Sequence, residues 1–397
     1  MVSMLEGIRV VDFTRAMAGP FATMILGDFG AEIVKIEPLQ GDETRLWGPP
    51  FAESESAYFL SINRNKMDIS VDLHTKQGVE IASRLCKLAD VVIENFRPGV
   101  MGSLGLDYAS VAHLNPRVIY CSISGFGQSG ILSAKPGYDI IALAESGLLA
   151  ITGESNGKPV KFGVPVADMA AGMFAAFSIS AALFRREKGG QGEKIDVSLF
   201  DTMMYWLTHQ GQGFLSAGVE PARMGASHPS IAPYSSFRAK DDYFVMAAAN
   251  DQLWRKFCEE FGIANLIDDP RFSTNPSRVR NRAELEALLD KIFSGYTLEM
   301  VIAKLERAGV PCARVQSVSS ALKSEGVKQR GLIRNITSHR LRDLSLVFSP
   351  PKLLNSPAEL RLPPPDLGEH TSAILQQIGY SAKEVQELFT TGVVKGK

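Results

Sequence analysis

Short apolar runs alternate with amphipathic stretches through the first third of the chain. The segments IRVVDF, AEIVKIE, ISVDL, DVVIENF and RVIYCSISGFG are rich in β-branched residues and almost continuously apolar, which predicts strands buried on both faces. Between them, GPFATMILGDFG (stopped by Gly30), GVEIASRLCKLA and YASVAHL carry helical spacing. This alternation predicts a mostly parallel sheet covered by helices, a Rossmann-like α/β domain. The run GVPVADMAAGMFAAFSISAALF then leads into the most hydrophobic stretch, Met169 to Phe184. That stretch is shorter than the ~20 residues that span a bilayer and is punctuated by Gly172, Ser178 and Ser180, so it reads as a buried helix. A second helical stretch follows in SLFDTMMYWLTHQGQGFL.

From Ala222 the pattern changes. SIAPYSSFRAKDDYFVMAAAND predicts a hairpin turning at Asp241 and Asp242, and the helices QLWRKFCEEFG and RAELEALLDKIFSGY follow it. Residues 222–330 thus form a smaller α+β domain with its linkers. The tail from about Gly331 has two strand-like stretches, the turn-rich RLPPPDLGEH, and helices between Thr371 and Leu388. It is apolar enough to require a docking surface, and residues 1–221 and 331–397 together make the large domain.

Composition narrows the function classes. A chain of 397 residues, 45% hydrophobic and 21% charged, can bury a large core as a soluble protein. Its formal net charge of −1 supplies no global field for nucleic acid or an anionic membrane, so any anion site must be a local cluster. Cys86, Cys121, Cys258 and Cys312 are dispersed without a CxxC pair and read as reduced thiols. MVSMLEGIRVVDF runs into a strand without a signal-like leader, which places the protein in the cytoplasm, or in the mitochondrial matrix if a transit peptide has been removed.

Candidate chemistry is sparse. GFGQSG (Gly125 to Gly130) matches GxGxxG after a strand, but Pro136 and Gly137 stand where a phosphate-binding helix would run, so it predicts a ligand-facing turn rather than a nicotinamide site. His74, His113, His209, His228, His339 and His370 fall in separate segments without HxxH or HExxH spacing, and no metal site is expected. No GxSxG elbow occurs. Arg64 and Lys66 in NRNK, and Arg45 in RLWGPPF, are either a solvated face or anchors for an acidic ligand. Asp168 opens the long apolar helix. It reads equally as an N-cap and as an ionised nucleophile aimed from the helix start.

Several fragments together resemble one family. VVDFTRAMAGPFATMILGDFGAEIVKIE, NRNK, VIENFRPGVMGSLGL, YCSISGFGQSG, PGYD, PVADMAAGMFA and LGEHT, in this order, are similar to the class III (CaiB/BaiF, formyl-CoA-transferase-like) coenzyme A transferases. The resemblance implies an interlocked homodimer, a Rossmann-like domain built from both chain ends, and Asp168 as the nucleophile that forms an acyl anhydride and then an aspartyl-CoA thioester. It implies CoA contacts at Ala16, Met17 and Ala18, at Val71, Leu73 and His74, at Asn95, Phe96 and Arg97, and at Pro136, Gly137 and Tyr138. CoA thioesters would be substrates, with no permanently bound cofactor. Met17 replaces the glutamine of the formyl-CoA enzymes, and GASHPSIAPYSSF stands near their tetraglycine loop, which argues against formyl or oxalyl substrates. Tyr138 replaces the histidine of the racemase branch and is a poor base at an ordinary pKa of about 10. RLWGPPF, HPSIAPYSSF and PPPDLGEHT resemble the succinyl-CoA:glutarate type, which implies dicarboxylate substrates. Arg64 is the first choice for gripping the distal carboxylate, Arg278 the second, and Arg45 serves CoA phosphates instead. The alternatives are an acyl-CoA racemase or epimerase of the same superfamily and a non-catalytic acyl-CoA binder.

Overall fold

The computed structural model describes residues 3–338 and 340–397; His339 lies outside the described residues. The apolar N-terminal segments become strands β1 (Arg9–Asp12), β2 (Glu32–Glu37), β3 (Lys66–Val71), β4 (Val91–Glu94) and β5 (Ile119–Ser124). Two further strands extend the sheet, β6 (Glu193–Ser198) and β7 (Val394–Lys395), in the order β7-β3-β2-β1-β4-β5-β6. All pair in parallel except β7, which runs antiparallel along β3 with Val394 opposite Val71. The chain moves outward from β1 through β2 to β3, then returns to place β4 on the other side of β1. Open α/β sheets bind ligands in the crevice outside the strand ends at such a reversal.

Neither β6 nor β7 was expected from sequence. GEKIDVS begins with charged residues because that end of an edge strand is solvated, and VK is too short to give a period.

Helices α1 (Ala18–Asp28), α2 (Asp139–Glu145) and α3 (Val166–Glu187) position the site. The last is longer than the sequence suggested: its 22 residues are enough by length and composition to cross a membrane, yet the helix is buried along one face inside the protein. Gly172 explains its depth, since a Cβ there would stand 2.5 Å from the Ala18 carbonyl of α1. The second helical stretch divides into Leu199–Trp206 and Thr208–Ala217 around Thr208, whose φ is +43°.

The chain divides into two compact units, 1–148 with 162–208 and 325–397, and 149–161 with 209–324. Residues 149–161 and 209–221, which the pattern assigned to the large domain, thus cluster with the smaller one. The tail belongs to the first unit and is bonded into it: the Arg361 guanidinium donates to the Gly27 and Ala31 carbonyls, and the His370 amide donates to the Asp68 carbonyl. In the smaller unit, the hairpin strands Tyr234–Arg238 and Tyr243–Ala247 pair antiparallel, with Cys312–Arg314 on the outer side of the second. Phe237, Phe244, Trp254, Phe257 and Phe293 fill the core behind them.

Candidate active site

The crevice at the strand ends is organised from below by buried charge. Asp12, at the end of β1, accepts from the Thr14 amide (2.8 Å), the Thr23 hydroxyl (2.6 Å) and the Lys66 ammonium (3.3 Å). Lys35 donates to the Thr14 carbonyl (2.7 Å) and to Asp42 (3.0 Å). These bonds hold the turn after β1, including Ala16 at a φ of +61°, a strained value for a residue with a Cβ. Lys66 is therefore an internal strut, not the ligand anchor considered for it. Burial lowers its ammonium pKa to about 8 despite Asp12.

Above this network lies a cleft of about 190 Å³ lined by Phe13, Arg15, Ile36, Leu39, Leu73 and His74, with Val71 and Phe96 also on its wall. It brings together four positions implied as CoA contacts: Val71, Leu73, His74 and Phe96. Asn95 stands beside it, bonded to both ends of the Arg15 peptide unit. Met17 and Ala18 are buried, so their side chains pack inward. Arg97 lines a different cavity of about 230 Å³, with Glu94, Tyr120 and Lys194. Pro136 and Gly137 belong to a turn pressed on the glycine-rich turn after β5. A Cβ on Gly137 would meet the Gly125 Cα at 2.4 Å, and one on Gly125 the Gly137 Cα at 2.6 Å, so glycine is required on both sides. The amides of Gly127 and Gln128 donate to Ser124 Oγ and Asp196 Oδ2, so these two N–H groups of GFGQSG serve the fold and not a phosphate.

Asp168 occupies the third residue of α3, with Pro165 at the N-cap and no capping side-chain bond. The cap reading is thus corrected: Asp168 is not the N-cap, and no side chain caps this helix. Among the described residues no hydrogen-bond donor holds the carboxylate. Burial, and then the charge of Asp139, push its pKa up to about 7, in place of the fully ionised group anticipated from the helix dipole alone. Asp139 opens α2 and accepts from the Ala167 amide (2.7 Å), which fixes the two acids near one another. The phenol of Tyr58 senses both: burial first and then Asp168 and Asp139 raise its pKa, leaving it a protonated hydroxyl. Its ring packs edge-on against Trp47 at 4.9 Å. Tyr138, just before Asp139, is exposed. Asp139 and Tyr58 escaped the sequence reading because nothing in their local pattern marks proximity to Asp168.

The three arginines proposed for substrate are all engaged elsewhere, and those assignments are corrected. Arg64 is buried, forks onto Asp28 (2.9 and 2.7 Å) and donates to the Val347 carbonyl (3.0 Å). Arg278 is fully buried in the smaller unit on Ala232 O, Phe272 O and Asp251. Arg45 forks onto Glu37 (2.9 and 2.7 Å), donates to the Pro365 carbonyl and lies 3.8 Å over Phe59. Each guanidinium already has the bidentate or multiple acceptors it needs. Among the described residues, no group of three or more His, Cys, Asp or Glu side chains could hold a metal ion.

Residues 5–371 match the family described as CoA-transferase family III. The chain is 40% identical to an acyl-CoA transferase of Fusarium pseudograminearum, over 98% of this chain and 88% of that one. It is 39% identical to the succinyl-CoA:glutarate CoA-transferase of Mus musculus, over 98% and 90%. Among solved structures, a CaiB/BaiF family protein from Brucella suis superposes with a TM-score of 0.86 at 38% identity, covering 95% of this chain and all of that one.

Proposed function

Because the chain belongs to CoA-transferase family III, and is an enzyme of that type, we propose that it moves coenzyme A from succinyl-CoA to a dicarboxylic acid such as glutarate, with Asp168 as nucleophile. The observation that carries this is the Asp168 carboxylate: partly desolvated, free of hydrogen-bond donors among the described residues and therefore basic, at the mouth of a helix. The similarity to succinyl-CoA:glutarate transferases supports the donor and acceptor.

The steps balance without an external proton. The Asp168 carboxylate attacks the thioester carbonyl; the C–S bond breaks, CoA thiolate leaves, and a succinyl–aspartyl anhydride remains. The thiolate attacks the aspartyl carbonyl of that anhydride, succinate leaves, and an aspartyl-CoA thioester forms. Glutarate repeats the two steps in reverse order, and Asp168 is regenerated. Splitting one exchange into four acyl transfers is the gain of covalent catalysis. The neutral Tyr58 hydroxyl is suited to donate to oxygen charge developing beside Asp168.

Trapping tests the covalent step. After incubation with succinyl-CoA, borohydride or hydroxylamine treatment is expected to leave its mass change on the peptide carrying Asp168. An unmodified peptide with intact succinyl-CoA binding would favour a non-catalytic binder. An acceptor panel, glutarate, adipate and acetate with succinyl-CoA as donor, is expected to rank the diacids above acetate.

A homodimer, of the interlocked kind, is part of the same proposal. Met173, Phe177 and Phe184 stand exposed along the outer side of α3, and Tyr205 is 74% exposed nearby in sequence. Apolar side chains gathered this way favour a covering partner. We expect the 43.2 kDa chain to sediment as a dimer and Phe177→Glu to sediment as a monomer; a monomeric wild type would count against the dimer.

A further inference from the structure

Lys35, within β2, is wholly buried, and its ammonium bonds two loops at once. It donates to the Thr14 carbonyl (2.7 Å), in the turn after β1, and to Asp42 Oδ2 (3.0 Å), in the turn after β2. Burial pulls its pKa down, but the Asp42, Glu37 and Asp12 carboxylates outweigh burial and hold it above the ordinary lysine value, so the cation stays charged at any assay pH. Lys66 repels it across the Asp12 carboxylate that they share. Each of the two loops ends at a wall beside Asp168. The Thr14 turn runs through Ala16, at its strained φ, into Met17 and α1, whose start has no side-chain cap. There the Ala18 carbonyl approaches α3 at Gly172, one turn beyond Asp168. On the other arm, Asp42 Oδ1 caps the turn Glu43–Leu46 by accepting from the Thr44 amide (3.0 Å) and hydroxyl (2.8 Å). Trp47 follows directly: its amide donates to the Thr44 carbonyl (3.2 Å), and its carbonyl accepts from Ser56 Oγ (2.6 Å). Ser56 in turn caps the helix Ala57–Ile62 that carries Tyr58, the ring against which Trp47 packs. Burial, then the charges of Asp168, Asp139 and Asp42, raise the pKa of that phenol, so the far end of this arm lies within electrostatic reach of Asp168.

We propose that Lys35 is a positioning residue for acyl transfer: it ties the α1–α3 contact to the Trp47–Tyr58 wall, which keeps the Tyr58 hydroxyl and the Asp168 carboxylate in register and keeps water from the carboxylate. The inference rests on the reading of Asp168 as the nucleophile. Two charge-assisted bonds from one ammonium cannot both persist if either loop shifts, and losing one leaves a buried charge underpaired. The tether is therefore stiff. A misplacement of about 1 Å caused far from the chemistry can cost on the order of a hundredfold in rate, so a stiff link between these two walls matters to turnover although Lys35 touches no reacting atom.

The test compares wild type, Lys35→Met and the double variant Lys35→Met/Asp42→Asn. Lys35→Met strands the Asp42 carboxylate and should lower the urea midpoint. The double variant removes both charges, and asparagine still caps Thr44, so its midpoint is expected close to that of wild type. Its kcat for transfer from succinyl-CoA should nevertheless fall about ten- to a hundredfold, with a smaller change in KM. Burial is the first cause of the raised Asp168 value, so loosened walls should also move the rise of kcat/KM with pH below its wild-type position near 7. A double variant with the wild-type kcat and an unmoved pH rise overturns the positioning role, as does an effect confined to KM or to the urea midpoint. Trapping with succinyl-CoA separates this inference from the reading beneath it. Wild type labelled at Asp168, with the double variant labelled equally fast, ends the positioning role alone; wild type never labelled at Asp168 ends the nucleophile reading.

Discussion

Asp168→Ala is expected to lower kcat for CoA transfer from succinyl-CoA by at least about 10³-fold while succinyl-CoA binding changes little, because the acyl-accepting oxygen is removed and the binding cleft is not. Transfer at the wild-type rate would end the nucleophile assignment. The pH dependence is equally specific. With the folded value near 7, kcat/KM of the wild type should rise with pH through an apparent pKa near 7, since only the ionised carboxylate attacks. Asp139→Asn keeps the oxygen that accepts from Ala167 but removes the second cause of the elevation, so the rise should move to lower pH. A rise that stays in place, or moves up, would show that the Asp139 charge does not act on Asp168. Stability follows the same linkage. In the unfolded chain this carboxyl titrates near 3.8. Between about pH 4 and pH 7 the folded chain keeps a proton that the unfolded chain releases, so the contribution of this position to stability falls as pH rises through that window. Asp168→Asn should therefore melt above the wild type at pH 8 and alongside it near pH 4.

Arg64→Met is expected to destabilise the fold by about 3–5 kcal/mol, the usual cost of removing one partner of a buried ion pair. That is a large share of a total of roughly 5–15 kcal/mol. Asp28 ends α1 almost without solvent, and burial already pushes its carboxyl pKa up in spite of the Arg64 fork. Arg64 also ties the tail to this helix through the Val347 carbonyl and the face of Phe348 (5.1 Å). Urea denaturation should show the loss as a lower midpoint, and the double variant Arg64→Met/Asp28→Leu should recover part of it by removing both charges. A stable Arg64→Met protein with a raised KM for glutarate alone would restore the role first imagined for this residue.

The arginines show where pattern reading stops. NRNK and RLWGPPF look like exposed loops in one dimension because they contain asparagine, proline and glycine. In three dimensions the first begins a strand of the central sheet, and the partners that neutralise these cations lie far along the chain: Asp28 and Val347 for Arg64, and Pro365, with the nearer Glu37, for Arg45. The small helices that carry Tyr58 and Asp139 likewise give no local sign that they lie near Asp168.

By itself the sequence determined the strand and helix succession of the N-terminal half, the change of pattern beyond Ala222, the docking tail and, through family motifs in order, membership of CoA-transferase family III. These are properties of local periodicity and of residues adjacent in the chain, where hydrophobic spacing and backbone preference act directly. Only the tertiary structure decided the strand order with its reversal at β1/β4, the burial that raises the Asp168 pKa to about 7, and which cations are spent on internal carboxylates. Burial and charge pairing are sums over groups brought together from distant segments, and no local pattern contains them.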